Sequence, residues 1–373
     1  MKLSPELEAL DRLVEESYGS VYTSNLPAWA SNMRFWTRHL YGKRPFNIDQ
    51  LTLPGYDGKN VFLVGSGPSL TGLLPEEVAG TTLMAGATCV PYLLSQKIWP
   101  DIIVISDSHP ILHAYLWDVR EELRDTPIVL PVTADPRWAE HPVGSGYFFY
   151  KPYFQVRGED NMQNAFNTIV ERLFPEVPPW TVQAGSVMNT MLATLMHVVL
   201  HGVTWPISRA ILLGADYGHH KGGAKRIPMA AGIRGYAGRT TFMPDPPSAM
   251  EDIEVGKNVT TLANILYGLG TLLIAKACPF DVILASPFSM LSSFLPNSPL
   301  HLSAVQPVPY TDKESKNAFY EDASTRYGAL VNPIIEDARK KAADARLEML
   351  QLQAKILQGS SEPVRNAPNE GHA

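Results

Sequence analysis

The stretch Asn60-Val-Phe-Leu-Val-Gly-Ser-Gly-Pro-Ser-Leu70 joins an apolar run to an elaborate glycine turn. Val61 to Val64 reads as a strand buried on both faces. Gly65-Ser66-Gly67-Pro68-Ser69 reads as a tight turn that opens a helix. Gly65 and Gly67 lack a Cβ, so a ligand can approach the main chain closely. Pro68 suits a first helical turn. Ser66 or Ser69 can cap the helix and donate to an anion there. A strand, glycine turn and helix in this order is how α/β proteins hold nucleotide phosphates. The expectation is a nucleotide, or a nucleotide derivative, bound at the carboxyl edge of a parallel sheet. Two familiar motifs are excluded. Leu70 stands where a dinucleotide fingerprint has its third glycine, and no Lys-Ser or Lys-Thr pair follows Gly67 as in a P-loop. The bland alternative is a βα turn with no ligand.

The rest of the chain bounds the class. It has 373 residues, 45% hydrophobic and 18% charged, which suffices for a core without staples. The net charge of -6 and the pI near 5.9 offer no general basic field for duplex nucleic acid, so a nucleic-acid acceptor would need a local patch. Cys89 and Cys278 read as buried thiols in a reducing compartment, and no Cys/His cluster points to zinc. The N-terminus has no signal-peptide pattern, and no apolar stretch is long enough to span a membrane; Thr181 to Leu200 comes closest, interrupted by Gln183, Asn189 and His197. A cytoplasmic protein is expected.

Residues 1–55 read as a helical prefix, with an amphipathic stretch over Pro5 to Glu16 and a second helix over Pro27 to Tyr41. Trp29, Met33, Phe35 and Trp36 in that second helix form either a partner surface or an apolar face packed on the main domain. Residues 56–300 alternate apolar runs with helical segments. Strands are expected at Val61–Val64, Thr82–Gly86, Ile102–Ser106, Ile128–Pro131, Ala210–Leu213 and Asp281–Ala285. Helices are expected at Pro91–Gln96, Pro110–Leu123, Asn161–Leu173, Ser186–His201 and Thr260–Lys276. The pattern predicts an α/β fold, a Rossmann-like, doubly wound and mainly parallel sheet. His219 to Glu254 reads as a long loop over the site. Residues 301–358 form a Pro-rich connector and a charged helix over Glu336 to Leu357, which either mediates homo-oligomerisation or packs on its own domain. Residues 359–373 read as a disordered tail.

Three further strand ends or helix starts carry chemistry. Asp107 ends the run that begins at Pro100, where it can hold a ribose hydroxyl or a metal-bound water, or simply cap the next helix. Gln183-Ala184-Gly185-Ser186 opens another helix with Ser186 as N-cap, and Gln183 and Asn189 can read a base edge, unless Asn189 is only a polar spot on a core helix. Gly214-Ala215-Asp216-Tyr217-Gly218-His219-His220 closes a third strand. A histidine beside Asp216 can act as general acid or base, or the pair can be a solvated loop. Lys221, Lys225, Arg226, Arg234 and Arg239 supply a local positive cluster suited to a departing phosphate.

Four segments, Val64-Gly65-Ser66-Gly67-Pro68-Ser69-Leu70, Pro100 through Asp107, Ala184-Gly185-Ser186-Val187-Met188 and Leu213-Gly214-Ala215-Asp216-Tyr217, occur in an order that resembles one superfamily. It contains Campylobacter-type sialyltransferases, flagellar motility-associated-factor glycosyltransferases and 6-hydroxymethylpterin diphosphokinase-like proteins. The resemblance covers about 60 to 290. It implies a Rossmann-like fold and a nucleotide-activated substrate held by Gly65, Ser66, Gly67, Gly185 and Ser186, with Gly214, Asp216 and Tyr217 lining the nucleotide. The sialyltransferases take their base from a histidine in the later loop. Here Ile227 to Gly256 has none, and Ala87 or Thr88 replaces an asparagine that follows their second strand.

The expected function is a transferase, in first place a glycosyltransferase with a nucleotide-sugar donor and a hydroxyl acceptor. The expected site is His219, His220 and Asp216 for catalysis, with Gly65, Ser66, Gly67, Pro68, Ser69, Asp107, Gln183, Gly185, Ser186, Asn189, Gly214 and Tyr217 for the nucleotide. That reading needs no cofactor. The second is a magnesium-dependent pyrophosphokinase using a nucleoside triphosphate, with Asp107 and Asp216 on the metal. The third is a non-catalytic nucleotide-binding or assembly protein.

Overall fold

The computed structural model describes residues 26–41, 46–51, 59–152, 161–177, 186–201, 207–221, 252–286, 289–297 and 307–359. The helix expected over Pro5 to Glu16, the site residues Gln183 and Gly185, the cations Lys225, Arg226, Arg234 and Arg239, most of the long loop and the C-terminal tail lie outside them.

The strands are β1 (Phe46–Asn47), β2 (Asn60–Val64), β3 (Thr82–Gly86), β4 (Ile102–Val104), β5 (Pro127–Pro131), β6 (Gly146–Tyr150), β7 (Arg209–Leu213), β8 (His219–His220), β9 (Ile253–Val255), β10 (Asn258–Thr260) and β11 (Asp281–Leu284). The helices are α1 (Leu26–His39), α2 (Pro75–Val78), α3 (Val90–Ser95), α4 (Ile111–Trp117), α5 (Arg137–Glu140), α6 (Asn161–Leu173), α7 (Val187–His201), α8 (Leu262–Ala277) and α9 (Lys313–Gly359).

Eight strands form one sheet in the order β1-β6-β5-β4-β3-β2-β7-β11, and every pairing in it is parallel. This is the α/β, Rossmann-like sheet that the sequence predicts. Val61, Phe62, Leu63 and Val64 are fully buried, as a central strand covered on both faces must be. The chain steps outward from β2 through β3, β4, β5 and β6, then crosses back to place β7 on the other side of β2. The order therefore reverses between β2 and β7, with Val64 opposite Leu213 at their carboxyl ends. A crevice at such a reversal is where doubly wound sheets bind ligands. β8, β10 and β9 form a separate antiparallel sheet; β8 and the start of β9 fall at the two ends of the stretch expected to be a loop, and β10 lies beyond it.

α1 belongs to this body. Met33 and Trp36 are buried, Trp36 Nε1 donates to the Ala134 carbonyl at 2.7 Å, and Asn32 Nδ2 donates to the Thr133 carbonyl at 2.9 Å. The Trp36 and Phe149 rings meet edge to face at 5.1 Å, and Trp29 lies against Phe166. Of the two readings of these aromatics, packing on the main domain holds for them. β1, inside the expected helical prefix, is the edge strand beside β6. Cys89 and Cys278 are free and buried, and burial pushes each thiol up to about 12.

Two compact units divide the chain, Met1–Gly328 and Ala329–Ala373. α9 starts at Lys313, well before the expected Glu336, on a capping box in which Ser315 N–H donates to Asp312 Oδ1 at 2.8 Å and Asp312 N–H to Ser315 Oγ at 3.1 Å. Within the first unit, Tyr320 and Tyr327 are buried and Lys316 Nζ donates to the carbonyls of Cys278 and Phe280. The second unit consists, among the described residues, of the rest of α9, with Pro333 inside the helix. No helix among the described residues is long and apolar enough to cross a membrane.

Trp36→Ala removes a fully packed indole and orphans a buried carbonyl, so it is expected to cost about 4 kcal/mol in urea unfolding. Trp99→Ala, at a ring 57% exposed, is expected to stay within about 0.5 kcal/mol of wild type.

Candidate functional site

The two glycine turns that the sequence placed separately meet at the reversal point. Gly65 N–H donates to the Leu213 carbonyl at 2.8 Å, and Gly67 N–H to the Gly214 carbonyl at 3.0 Å. These bonds carry the β2–β7 pairing past the ends of both strands. A Cβ on Gly65 would stand 2.8 Å from the Gly214 oxygen. One on Gly67 would stand 2.6 Å from the same atom and run into the Asp216 carboxylate. Gly214 has φ +68°, and a Cβ there would collide with the Gly65 carbonyl. The glycines are thus required by each other. The sequence argument, that they clear the way for a ligand, is corrected: the space their Cβ atoms would fill holds the opposite turn.

Asp216 closes this clasp. Ser69 N–H donates to Asp216 Oδ2 at 2.8 Å and the Ser69 hydroxyl to Oδ1 at 2.6 Å. Ser69 Oγ also lies 2.9 Å from Ser286 Oγ, which accepts the Ala215 N–H at 3.3 Å. Asp216 is only 2% exposed. Pro68–Gly72 is a short 3-10 turn with Gly67 at its N-cap, not the start of an α-helix. Ser69 therefore caps no α-helix; it is buried and bonded to Asp216. Equally, both Asp216 oxygens are engaged inside the protein, which corrects the expectation that they orient a histidine or hold magnesium.

Tyr217 follows in the left-handed region at φ +51°, unusual for a residue with a side chain. Its carbonyl accepts from Thr260 Oγ1 at 2.5 Å, and its hydroxyl lies 2.6 Å from Thr271 Oγ1, which donates to Asn189 Oδ1 at 2.6 Å. Burial pushes the phenol up to about 12, so the ring is a neutral fixture at physiological pH. Asn189 Nδ2 donates to the Tyr267 carbonyl at 3.1 Å. With both ends of its amide bonded and 1% of its surface exposed, Asn189 ties α7 to α8 and does not read a base. Ser186 is the N-cap the sequence predicts: its Oγ accepts the Asn189 N–H at 3.2 Å.

Over the clasp lies a cavity of about 540 Å³, within the usual range for small-molecule sites. Gly65, Ser66, Gly67, Pro68, Asp107, Ser186, Gly214, Asp216 and Tyr217 all line it. So do residues that the sequence reading missed: Thr88 after β3, His109 after β4, and Asn264 and Tyr267 on α8. Its described lining carries carboxylates and no lysine or arginine. His219 is not in that lining. It sits on β8 opposite Val259, and His220 opposite Asn258, so the backbone of both belongs to the small antiparallel sheet. Lys221 pairs with Glu254 at 2.6 Å.

The histidine at the cavity is His109. Asp107 is exposed, and its Oδ1 accepts the His109 N–H at 3.1 Å; His109 Nδ1 in turn accepts the Ile111 N–H at 3.0 Å. An Nδ1 that accepts carries no proton, so the neutral ring holds its proton on Nε2 and is a donor there. Burial holds the imidazole below its ordinary value, against the opposing charges of Asp107 and Asp135. The legible signal was Asp107-Ser-His109-Pro at a strand end, with the histidine two residues past the carboxylate. Among the described residues no group of three or more His, Cys, Asp or Glu side chains is arranged to hold a metal ion.

The fold and cavity define a doubly wound α/β protein with a ligand-sized site at its reversal point. The model of the family described as "6-hydroxymethylpterin diphosphokinase MptE-like" matches residues 39–221, a span that holds both glycine turns, Asp107 and His109. Over that segment, just under half of the chain, the sequence is similar to this family. No curated protein matches the chain in sequence. Among solved structures it is similar to the MAf glycosyltransferase from Magnetospirillum magneticum AMB-1, at 16% identity and TM-score 0.48, over 81% of this chain and 44% of that one. It is also similar to the sialyltransferase CST-II in complex with CMP, at 13% identity and TM-score 0.30, over 70% of this chain and 98% of that one. The chain thus spans less than half the length of the MAf protein.

Three substitutions separate clasp from cavity. Gly214→Ala adds a left-handed strain to a main-chain collision and is expected to cost about 3 kcal/mol or more. Ser69→Ala strips a buried carboxylate of its hydroxyl donor, at about 2 kcal/mol, whereas Ser66→Ala, on the cavity wall, is expected to leave the unfolding midpoint in place within about 0.5 kcal/mol.

Proposed function

We propose that this chain is a transferase that moves a sugar from a nucleotide-activated donor to a hydroxyl acceptor in the reversal-point cavity. The observation that carries this reading is the pairing of Asp107 and His109 on one cavity wall, at the carboxyl end of β4 and beside the β2–β7 clasp. The superfamily match over 39–221 supports the nucleotide donor. Asp107 has a carboxylate oxygen that accepts nothing from the described residues, so it serves as the base. In the transfer, the acceptor O–H proton passes to Asp107 and the acceptor oxygen bonds to the anomeric carbon. The bond from that carbon to the phosphate oxygen breaks, and the phosphate leaves with the electron pair. His109, neutral with its proton on Nε2, donates a hydrogen bond to the developing charge on the leaving oxygen. His219 and His220, expected from the sequence as the base, have no part in this scheme.

A second reading, magnesium-dependent diphosphate transfer from a nucleoside triphosphate, is favoured by the acidic character of the cavity lining. A polyphosphate there needs a cation, and magnesium is commonly held by one or two carboxylates together with the phosphates. Asp107 fits that role. Asp216, with both oxygens bound by Ser69, does not.

Thermal unfolding with CMP, UDP, GDP, ADP and ATP, each with magnesium or EDTA, tests the reading. A ligand at about 100 times its dissociation constant stabilises by about 2.7 kcal/mol. A shift with a sugar-carrier nucleotide that survives EDTA favours glycosyl transfer; a shift with ATP lost in EDTA favours the second reading; no shift with any overturns both. Once a donor is in hand, Asp107→Asn is expected to lower kcat about 100-fold or more with little change in stability.

The pH profile separates the two side chains. Burial lowers the His109 pKa from the ordinary 6.5, so the neutral ring persists at pH 7 and is lost only as pH falls through a value below 6.5. The acid limb of kcat/KM is expected below 6.5 in wild type. In His109→Gln that limb should leave its wild-type position, since the lowered imidazole that sets it is gone.

A further inference from the structure

We infer that Asn264, with Tyr267 one helical turn further along α8, recognises the heterocycle of the donor nucleotide, Asn264 reading an edge and Tyr267 covering a face. This rests on the transferase reading above and names the element that sets its donor choice. The two residues are three apart and so neighbours on the helix surface, and both line the cavity. Thr261 Oγ1 accepts the Asn264 N–H at 3.2 Å, which fixes the first turn of α8 at the cavity wall. The Tyr267 carbonyl accepts from Asn189 Nδ2 at 3.1 Å, which holds that turn from behind.

The two asparagines of this region differ in one respect. Asn189 has both ends of its amide bonded within the protein. The side-chain amide of Asn264 has no hydrogen-bond partner among the described residues and borders a cavity of ligand size. A carboxamide sets one donor and one acceptor side by side and pairs bidentately with a base edge that offers the complement. An aromatic ring beside it stacks on any base, without preference. The pair therefore divides the work, with affinity from Tyr267 and discrimination from Asn264.

The test is calorimetric titration of wild type, Asn264→Ala and Tyr267→Ala with CMP, UMP, AMP and GMP, and with ribose 5-phosphate as the probe without a base. Wild type is expected to prefer one base by about tenfold or more, the worth of a good bidentate contact. Asn264→Ala should level that preference to within about threefold, and Tyr267→Ala should weaken all four nucleotides about tenfold while keeping their order. Ribose 5-phosphate should bind all three proteins alike. Because the Asn264 amide makes no bond within the described protein, Asn264→Ala should keep its Tm within about 2 °C of wild type, so folding does not confound the result. A base preference that survives Asn264→Ala overturns the inference, as does a loss of ribose 5-phosphate binding equal to that of the nucleotides. Wild type that binds all four equally leaves the transferase reading standing and overturns this one; wild type that binds none overturns both.

Discussion

Everything at this site depends on two main-chain turns that touch. Gly65 and Gly67 on one side and Gly214 on the other approach so closely that no side chain fits between them, and the Asp216 carboxylate then bolts the first turn down through Ser69. A parallel sheet whose order reverses leaves a gap beyond the carboxyl ends of the two central strands. Here that gap is closed at its base by hydrogen bonds between the turns, and what remains above it is the cavity. A buried carboxylate is costly unless its oxygens are satisfied. Ser69 offers Asp216 two donors, its N–H and its hydroxyl, one to each carboxylate oxygen.

The clasp also constrains how a ligand can be held. In glycine-rich phosphate loops the turn's N–H groups point at the anion. In this chain the N–H groups of Gly65, Gly67 and Ser69 are spent on Leu213, Gly214 and Asp216. Under the proposed transfer the developing charge on the leaving group is met by a side chain on a neighbouring strand end, the neutral His109, while Asp107 faces the acceptor. The tautomer of His109 follows from a single backbone bond. Ile111 donates to Nδ1, so the ring can give a proton from Nε2 but has no free lone pair to take one. A base must then be found elsewhere, and the exposed carboxylate two residues earlier is the neighbour with an open oxygen.

Much of the sheet was legible because a buried parallel strand is a continuous apolar run, and β3 and α6 begin and end where the residues say. β6 was missed since Gly146-Tyr-Phe-Phe-Tyr150 is aromatic, half-buried at its start and lacks the aliphatic run. β8, β9 and β10 are two or three residues each, too short for any period to register. The start of α9 was missed although Tyr320, Ala323 and Tyr327 keep helical spacing, because charged residues surround them and Pro333 interrupts the pattern. At the site, sequence identified the turns and Asp107 but assigned the glycines to a ligand. Which surface fills the space beside a glycine is decided by tertiary contact, and nothing local records it.

Asn189 and Asn264 show the same limit more sharply. Each lies three residues after a hydroxyl N-cap, Ser186 or Thr261, and each has its own N–H bonded to that hydroxyl. Locally the two helix starts are the same device. One asparagine points into the seam between α7 and α8, where both ends of its amide are consumed and its mass blocks any side chain at Gly270. The other opens onto the cavity with its donor and acceptor uncommitted. The difference lies in which face of each helix meets the other. α7 is buried almost all round, so a polar group on it must be satisfied inside the protein. α8 leaves one face to the cavity, so a polar group there need not be. An amide that a fold leaves unsatisfied at a concave wall is an amide available to a ligand, and this argument, not residue type or spacing, separates the two positions.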